Sequence, residues 1–73
     1  MKTTREIFCE RLNLLMAKNK VSCSQLAKIV GVDRRTMKRW MIGKTLPNAL
    51  YAIKIRNYFE VRLDYLLGLT DKK

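Results

Sequence analysis

Histidine is absent from this chain of 73 residues, and only 6 acidic residues stand against 16 lysines and arginines. The lack of histidine removes the most common general base and the most common metal ligand. The sequence also has no Gly-rich phosphate loop, no serine nucleophile motif and no cluster of paired carboxylates. We therefore predict no enzymatic activity, no metal site and no cofactor, and no small-molecule ligand is evident.

Cysteine and long apolar runs are also scarce. Cys9 and Cys23 are too few for a disulfide framework, and we expect both to be reduced, small and partly buried. The longest apolar stretches, such as residues 14–17, are far shorter than the about 20 residues that cross a membrane. No apolar segment typical of a signal peptide follows residues 1–6, so we expect a cytoplasmic protein that does not bind membranes.

What the sequence has in excess is positive charge. The net charge is +10 and the isoelectric point is about 10.2, while 48% of the residues are hydrophobic. Such a chain has enough apolar residues for a core, and its length allows one domain, residues 1–73. The charge favours a polyanionic partner, and nucleic acid is the first candidate.

Three glycines, one proline and no period-two alternation of β-branched residues predict an all-α fold. Capping patterns mark helix starts at Thr3, Ser22, Asp33 and Asn48. We predict a compact domain of five helices. The first runs from the cap at Thr3 to about Lys18, the second covers about eight residues before Gly31, and the third covers 34–41. The fourth runs from about Ala49 to Phe59, and the fifth lies near 63–67. Residues 69–73 are predicted to form a flexible tail.

The apolar residues at helical spacing predict the core. Trp40 shares this spacing, so we interpret it as a structural residue and not as a base-stacking one. The predicted core residues are Phe8, Leu12, Leu15, Leu26, Val30, Met37, Trp40, Ala52, Phe59 and Leu66.

Two short predicted helices flank the turn at residues 31–33, and this pattern is typical of a helix-turn-helix, here over about residues 22–42. Gly31 would permit the tight turn and Ala27 a close approach of the helices. Positive charge rises sharply at the second helix, because residues 33–44 hold five cations against Asp33 alone, or +4. The first helix would brace the second, whose exposed face would enter a DNA major groove.

An ordered set of residues resembles the lambda-repressor-like, Cro/C1-type (XRE) helix-turn-helix family. It comprises Leu26-Ala27, residues 31–36, Arg39-Trp40, Gly43-Lys44 with Pro47, and residues 63–68. The resemblance covers about residues 5–69. It implies a five-helix DNA-binding domain of transcriptional regulators, commonly dimeric and found in phage and bacterial repressors. It also implies a bacterial or phage-infected cell, with the protein associated with the nucleoid.

The resemblance places the base-reading positions on Arg34, Arg35, Lys38 and Arg39. A guanidinium can donate two hydrogen bonds to a guanine, although the same arginines could hold phosphates instead. The residues expected to contact the DNA backbone are Ser22, Ser24, Thr36, Lys44 and Thr45. Ser22 could alternatively serve as a helix cap alone, and the Thr36 methyl could contact thymine.

This chain departs from the family pattern at several positions. Cys23 stands where the family often has a phosphate-binding Gln, and a thiol is a weaker donor. Met16 and Met41 occupy the positions of a usual Arg–Glu ion pair, and we predict that the two methionines touch. Arg56 lies at a position where the family favours a small residue.

Large residues outside the predicted core indicate a second surface. We predict that Leu50, Tyr51, Tyr58 and Tyr65 form the interface of a homodimer that reads a palindromic operator in double-stranded DNA. The alternative is that they are ordinary surface residues of a monomer. The predicted function is a sequence-specific transcriptional regulator, of phage or mobile-element repressor type. The alternatives are an antitoxin or nucleoid-like DNA binder, and a protein-interaction module in which the basic face confers only solubility.

Overall fold

The computed structural model describes residues 2–73, which fold into five α-helices without a strand among them. The bounds match the sequence prediction within about a residue. In chain order the helices are α1 (Thr4–Asn19), α2 (Cys23–Val30), α3 (Arg34–Met41), α4 (Ala49–Phe59) and α5 (Leu63–Leu67). Helix α1 packs against α3 and α5, α2 packs against α3 and α4, and α4 packs against α5.

The four predicted caps start their helices. Thr3 accepts a hydrogen bond from the Glu6 N–H while the Glu6 carboxylate accepts one from the Thr3 N–H, and Ser22 and Gln25 repeat this reciprocal pair. Asp33 and Asn48 each accept one bond from the N–H three residues later. Each cap satisfies an N–H that the helix itself leaves without a partner.

Helices α1 and α4 end without glycine. Lys20 and Glu60 follow them in the left-handed conformation, with φ of 54° and 56°. After α4, the N–H of Val61 bonds the carbonyl of Arg56, which closes the last turn. Nε of Arg56 in turn donates to the Val61 carbonyl at 3.0 Å. This side chain therefore ties the end of α4 to the segment that leads into α5.

The core lies where α1, α2, α3 and α5 meet, with Ile55 of α4 against it. Nine of the ten predicted core residues are buried, and Phe59 is half-buried with its ring packed edge-on against Tyr58. Met16, Val61 and Tyr65 are additional buried members. Cys9 and Cys23 are free and partly buried, as predicted.

Two of the four predicted interface residues lie elsewhere than expected. Tyr65 is a core residue, with only 6% of its surface exposed, because α5 packs on α1. Tyr51 is half-buried, with its ring centre 5.8 Å from that of Trp40. The expectation that Tyr65 lies outside the core was wrong, whereas Tyr51 packs against the core without being buried in it. Leu50 and Tyr58 are exposed, as predicted.

Helix α1 also contacts the residues that follow α5. The Arg11 guanidinium donates to the carbonyls of Tyr65 and Thr70 and to the Asp71 carboxylate. These bonds hold residues 70 and 71 against α1. The predicted flexibility of residues 69–73 concerns motion, which these contacts do not measure, and it stays a prediction.

Candidate nucleic-acid interface

A three-residue turn joins α2 to α3. Gly31 has a φ of 91°, which favours glycine, and its N–H and that of Val32 both donate to the Ala27 carbonyl, at 2.8 and 2.9 Å. Ala27 is buried in the core cluster. Gly31 thus has the conformation that the sequence predicted for it, and the close approach of the helices at Ala27 stays a prediction.

Helix α3 is anchored on one side and charged on the other. Met37 and Trp40, three residues apart, are both buried in the core. Their burial turns the opposite face of this eight-residue helix to solvent. The four predicted base-reading residues, Arg34, Arg35, Lys38 and Arg39, are all exposed on α3.

The beginning of α3 carries charges that weaken the helix. A helix N-terminus has a partial positive charge, so cations in the first turn are unfavourable and acids are favourable. Arg34 and Arg35 occupy the first turn of α3, where no acidic residue is present. Only the Asp33 cap offsets them, and hydrogen bonds from Thr36 lower the pKa of this carboxyl. Such a local conflict with helix stability is typical of a functional surface.

Helix α2 contributes to the same surface at its N-terminal end. Arg34 donates to the Ser24 hydroxyl at 3.3 Å, and the Cys23 thiol lies 3.8 Å from the Arg34 carbonyl. An open cleft of about 350 Å³ lies here between α2 and α3. It is lined by Cys23, Ser24, Arg34, Arg35, Lys38 and Met41. The structure therefore brings a predicted backbone-contact residue together with three predicted base-reading ones.

Two further predicted backbone contacts lie at helix starts. The Ser22 hydroxyl accepts from the Gln25 N–H as a cap, and its own hydrogen remains available to an acceptor at the exposed surface. Thr36 is half-buried, and its N–H is used by the Asp33 cap. Ser22 therefore acts as a helix cap in the absence of DNA.

The loop after α3 carries the last two predicted residues, Lys44 and Thr45, both exposed. Helix α1 holds this loop, because Nη1 of Arg5 donates to the Lys44 carbonyl at 3.0 Å. This role of Arg5 was not predicted from the sequence, because its partner is a backbone carbonyl 39 residues away. A backbone acceptor leaves no mark in the sequence pattern.

Met16 and Met41 belong to one apolar cluster. Met16 is buried in the core and Met41 is half-buried against it. Their direct contact, at the positions where the resemblance implied an ion pair, stays a prediction.

Within residues 2–73, no group of three or more Cys, Asp or Glu side chains is placed to hold a metal ion. No helix in the described part of the chain has the length and apolar character of a membrane span.

The arrangement of α2, the turn and α3 matches a known protein family. A family model described as helix-turn-helix matches residues 13–66, which include α2, the turn and α3. The chain belongs to the helix-turn-helix family, of Cro/C1 type. This confirms the family that the sequence motifs indicated.

Two relatives of this helix-turn-helix chain extend the comparison. An uncharacterised HTH-type transcriptional regulator, YobD of Bacillus subtilis strain 168, is 28% identical over 65 residues, which are 89% of this chain and 58% of YobD. The chain thus spans little more than half the length of that relative. The solution structure of the SOS-response transcriptional repressor LexA from Eubacterium rectale superimposes with a TM-score of 0.84 at 28% identity, over 92% of this chain and 73% of that one. The five-helix, lambda-repressor-like fold is confirmed.

Proposed function

We propose that this chain is a sequence-specific, double-stranded-DNA-binding transcriptional regulator that inserts α3 into the major groove. The observation that carries the proposal is the division of α3 into a buried side, Met37 and Trp40, and an exposed side with four cations. In this proposal Arg34, Arg35, Lys38 and Arg39 read base edges, and arginine can do so through two hydrogen bonds to guanine. Membership of the helix-turn-helix family and the names of the two relatives support it.

Phosphate contacts supply most of the affinity. The proposed contacts surround α3 on α2 and on the following loop, and they are Ser22, Ser24, Thr36, Lys44 and Thr45. Neutralising phosphates releases counterions, so the logarithm of the affinity falls with the logarithm of the salt concentration by about 0.9 per phosphate contacted. The net charge of +10 fits such a partner.

We further propose that the chain acts as a repressor and homodimer on a palindromic operator, as in phage or mobile-element repressors. Leu50 and Tyr58 leave 59% and 42% of their surfaces exposed on α4, which does not carry the cationic face. A two-fold contact through this side would leave both copies of α3 free, and half-sites would be about 34 Å apart. The variant Tyr58→Asp would then shift the sedimentation profile to the monomer and weaken operator binding.

Selection from a random duplex pool at about 150 mM salt tests the proposal, because charge-only binding is suppressed there. We expect two inverted half-sites. The variants Arg35→Ala and Arg39→Ala should weaken binding to the selected duplex far more than to random DNA, whereas Lys44→Ala should weaken both equally. Recovery of no motif would contradict sequence-specific reading and favour an architectural DNA binder or a protein-interaction module.

A further inference from the structure

The end of α3 leaves one carbonyl without a backbone partner. Gly43 adopts a φ of 78°, its N–H donates to the Trp40 carbonyl, and the Lys44 N–H donates to the Arg39 carbonyl. This pair of bonds satisfies two of the last carbonyls of the helix. Among residues 2–73, no backbone N–H donates to the carbonyl of Met41, the last helical residue.

Two side chains of α1 satisfy this carbonyl instead. The Cys9 thiol donates to the Met41 carbonyl at 2.7 Å, and the Asn13 amide donates to it at 2.8 Å. The same Asn13 nitrogen lies 2.8 Å from the Cys9 carbonyl, which fixes the amide against its own helix. Cys9 and Asn13 are one helical turn apart and therefore project from the same face of α1.

The fit at this point is close. A Cβ at Gly43 would lie 3.5 Å from the Cβ of Cys9, so the turn after α3 lies directly on this small side chain. Arg5, one turn before Cys9, donates to the Lys44 carbonyl. We name Arg5, Cys9 and Asn13 the α1 donor row. Cys9 and Asn13 hold the first residue of the segment 41–44 through the Met41 carbonyl, and Arg5 holds its last residue through the Lys44 carbonyl.

We infer that Asn13, with Cys9, is a positioning residue for DNA reading, fixing the C-terminal end of α3 against α1. The inference rests on the proposed function. The segment 41–44 follows Lys38 and Arg39, which are proposed to read bases. It ends at Lys44, which is proposed to contact phosphate together with Thr45. Because bidentate base contacts need accurate geometry, loosening this junction weakens sequence discrimination more than overall attraction to DNA.

The principal variant is Asn13→Leu, which keeps the approximate size and removes the donor without changing charge. Its matched control is Asn19→Leu, since Asn19 also bonds a carbonyl of α1, that of Leu15 at 2.7 Å, and makes no bond to α3. Cys9→Ala removes the second donor and Cys9→Ser restores one. All affinities are measured well below the thermal midpoint of each variant, so that only folded protein is compared.

We expect Asn13→Leu to reduce the ratio of specific to random duplex affinity about three- to tenfold, the size of one neutral hydrogen bond. The salt dependence on random DNA should be unchanged, since no charge is removed. Cys9→Ala should reduce the ratio and Cys9→Ser should restore it. The inference would be overturned if the double variant Cys9→Ala/Asn13→Leu kept a ratio of specific to random duplex affinity within twofold of that of the unmodified protein.

A second measurement without DNA separates this inference from the proposed function. Amide hydrogen exchange at Gly43 and Lys44, whose N–H groups close α3, should accelerate in Asn13→Leu and stay unchanged in Asn19→Leu. If the unmodified protein selects no DNA motif, the proposed function fails, and with it the reading role. Unchanged exchange in Asn13→Leu would overturn the positioning itself, whatever the DNA result.

Discussion

The Arg11 guanidinium lies over the ring of Tyr65, with its central carbon 4.4 Å from the ring centre, and donates to the carbonyl of the same residue. One side chain of α1 thus holds both the ring and the backbone of α5. The Arg11 side chain is only 16% exposed, so these contacts are largely shielded from water. The planar fork of arginine suits this combination, and the point charge of lysine does not.

We therefore expect Arg11→Lys to lower the free energy of unfolding by about 1–2 kcal/mol, because a charged hydrogen bond and the stacking are lost. Urea denaturation monitored by circular dichroism measures the change. Arg62→Lys is the control, since Arg62 is exposed and its side chain makes no capping bond to α5. Equal stability of the two variants would show that the Arg11 guanidinium contributes no more than a lysine ammonium at the same position.

Arg35 offers a test of the conflict between stability and function. Replacing this cation in the first turn of α3 by an acid, Arg35→Glu, should stabilise the helix by about 0.3–1 kcal/mol and raise the thermal midpoint by several degrees. The same variant should lose affinity for DNA. Lys18→Glu makes an equal charge change in the last turn of α1, where it should lower the midpoint. A lower midpoint for Arg35→Glu would refute the account of α3.

Gly68 and Gly31 both have positive φ, 81° and 91°, but different surroundings. A Cβ at Gly68 would lie 2.8 Å from Cγ2 of Ile7, whereas a Cβ at Gly31 would meet nothing within 4 Å. Ile7 is β-branched and lies in α1, so its side chain yields little. We expect Gly31→Ala to cost about 1 kcal/mol from the backbone alone and Gly68→Ala about 2 kcal/mol or more.

Thermal unfolding of the two alanine variants measures this difference. A double-mutant cycle with Ile7→Ala then isolates the clash, because removing Cγ2 should relieve part of the cost at Gly68. An additive cycle would assign the whole cost to the backbone conformation.

The cap of α3 predicts a dependence of stability on acid. Hydrogen bonds from Thr36 lower the pKa of Asp33, so the native state favours the carboxylate. This contribution is full above the unfolded pKa of about 4 and is lost as the pH falls through the lower folded-state value. Asp33→Asn keeps a capping oxygen but does not titrate. We expect the thermal midpoint of the Asn variant to fall less between pH 5 and pH 2, and parallel profiles would contradict the assignment.

The helix boundaries could be predicted from the sequence because their signals are local. Each cap is a hydrogen bond over three residues, as between Thr3 and Glu6, so residue type and spacing suffice. The cationic face of α3 could be predicted equally well, since Met37 and Trp40 fix which side of the helix is buried.

The burial of Tyr65 could not be predicted in this way. Helix α5 has five residues, which is too short for a periodic pattern, and Tyr65 is buried because α1 covers it. The bonds from Cys9 and Asn13 to the Met41 carbonyl span 32 and 28 residues. Only the folded chain brings such donors to a backbone oxygen, which any residue type would supply equally.

Among residues 2–73, no charged residue is fully buried, although the Arg11 side chain is only 16% exposed. Salts excluded from protein surfaces strengthen an apolar core, while salt of any kind screens attraction to phosphate. High ammonium sulfate should therefore strip bound nucleic acid from the purified protein and leave it folded. Refolding steps would be unnecessary, and DNA-free protein could be returned directly to the low-salt conditions in which binding is measured.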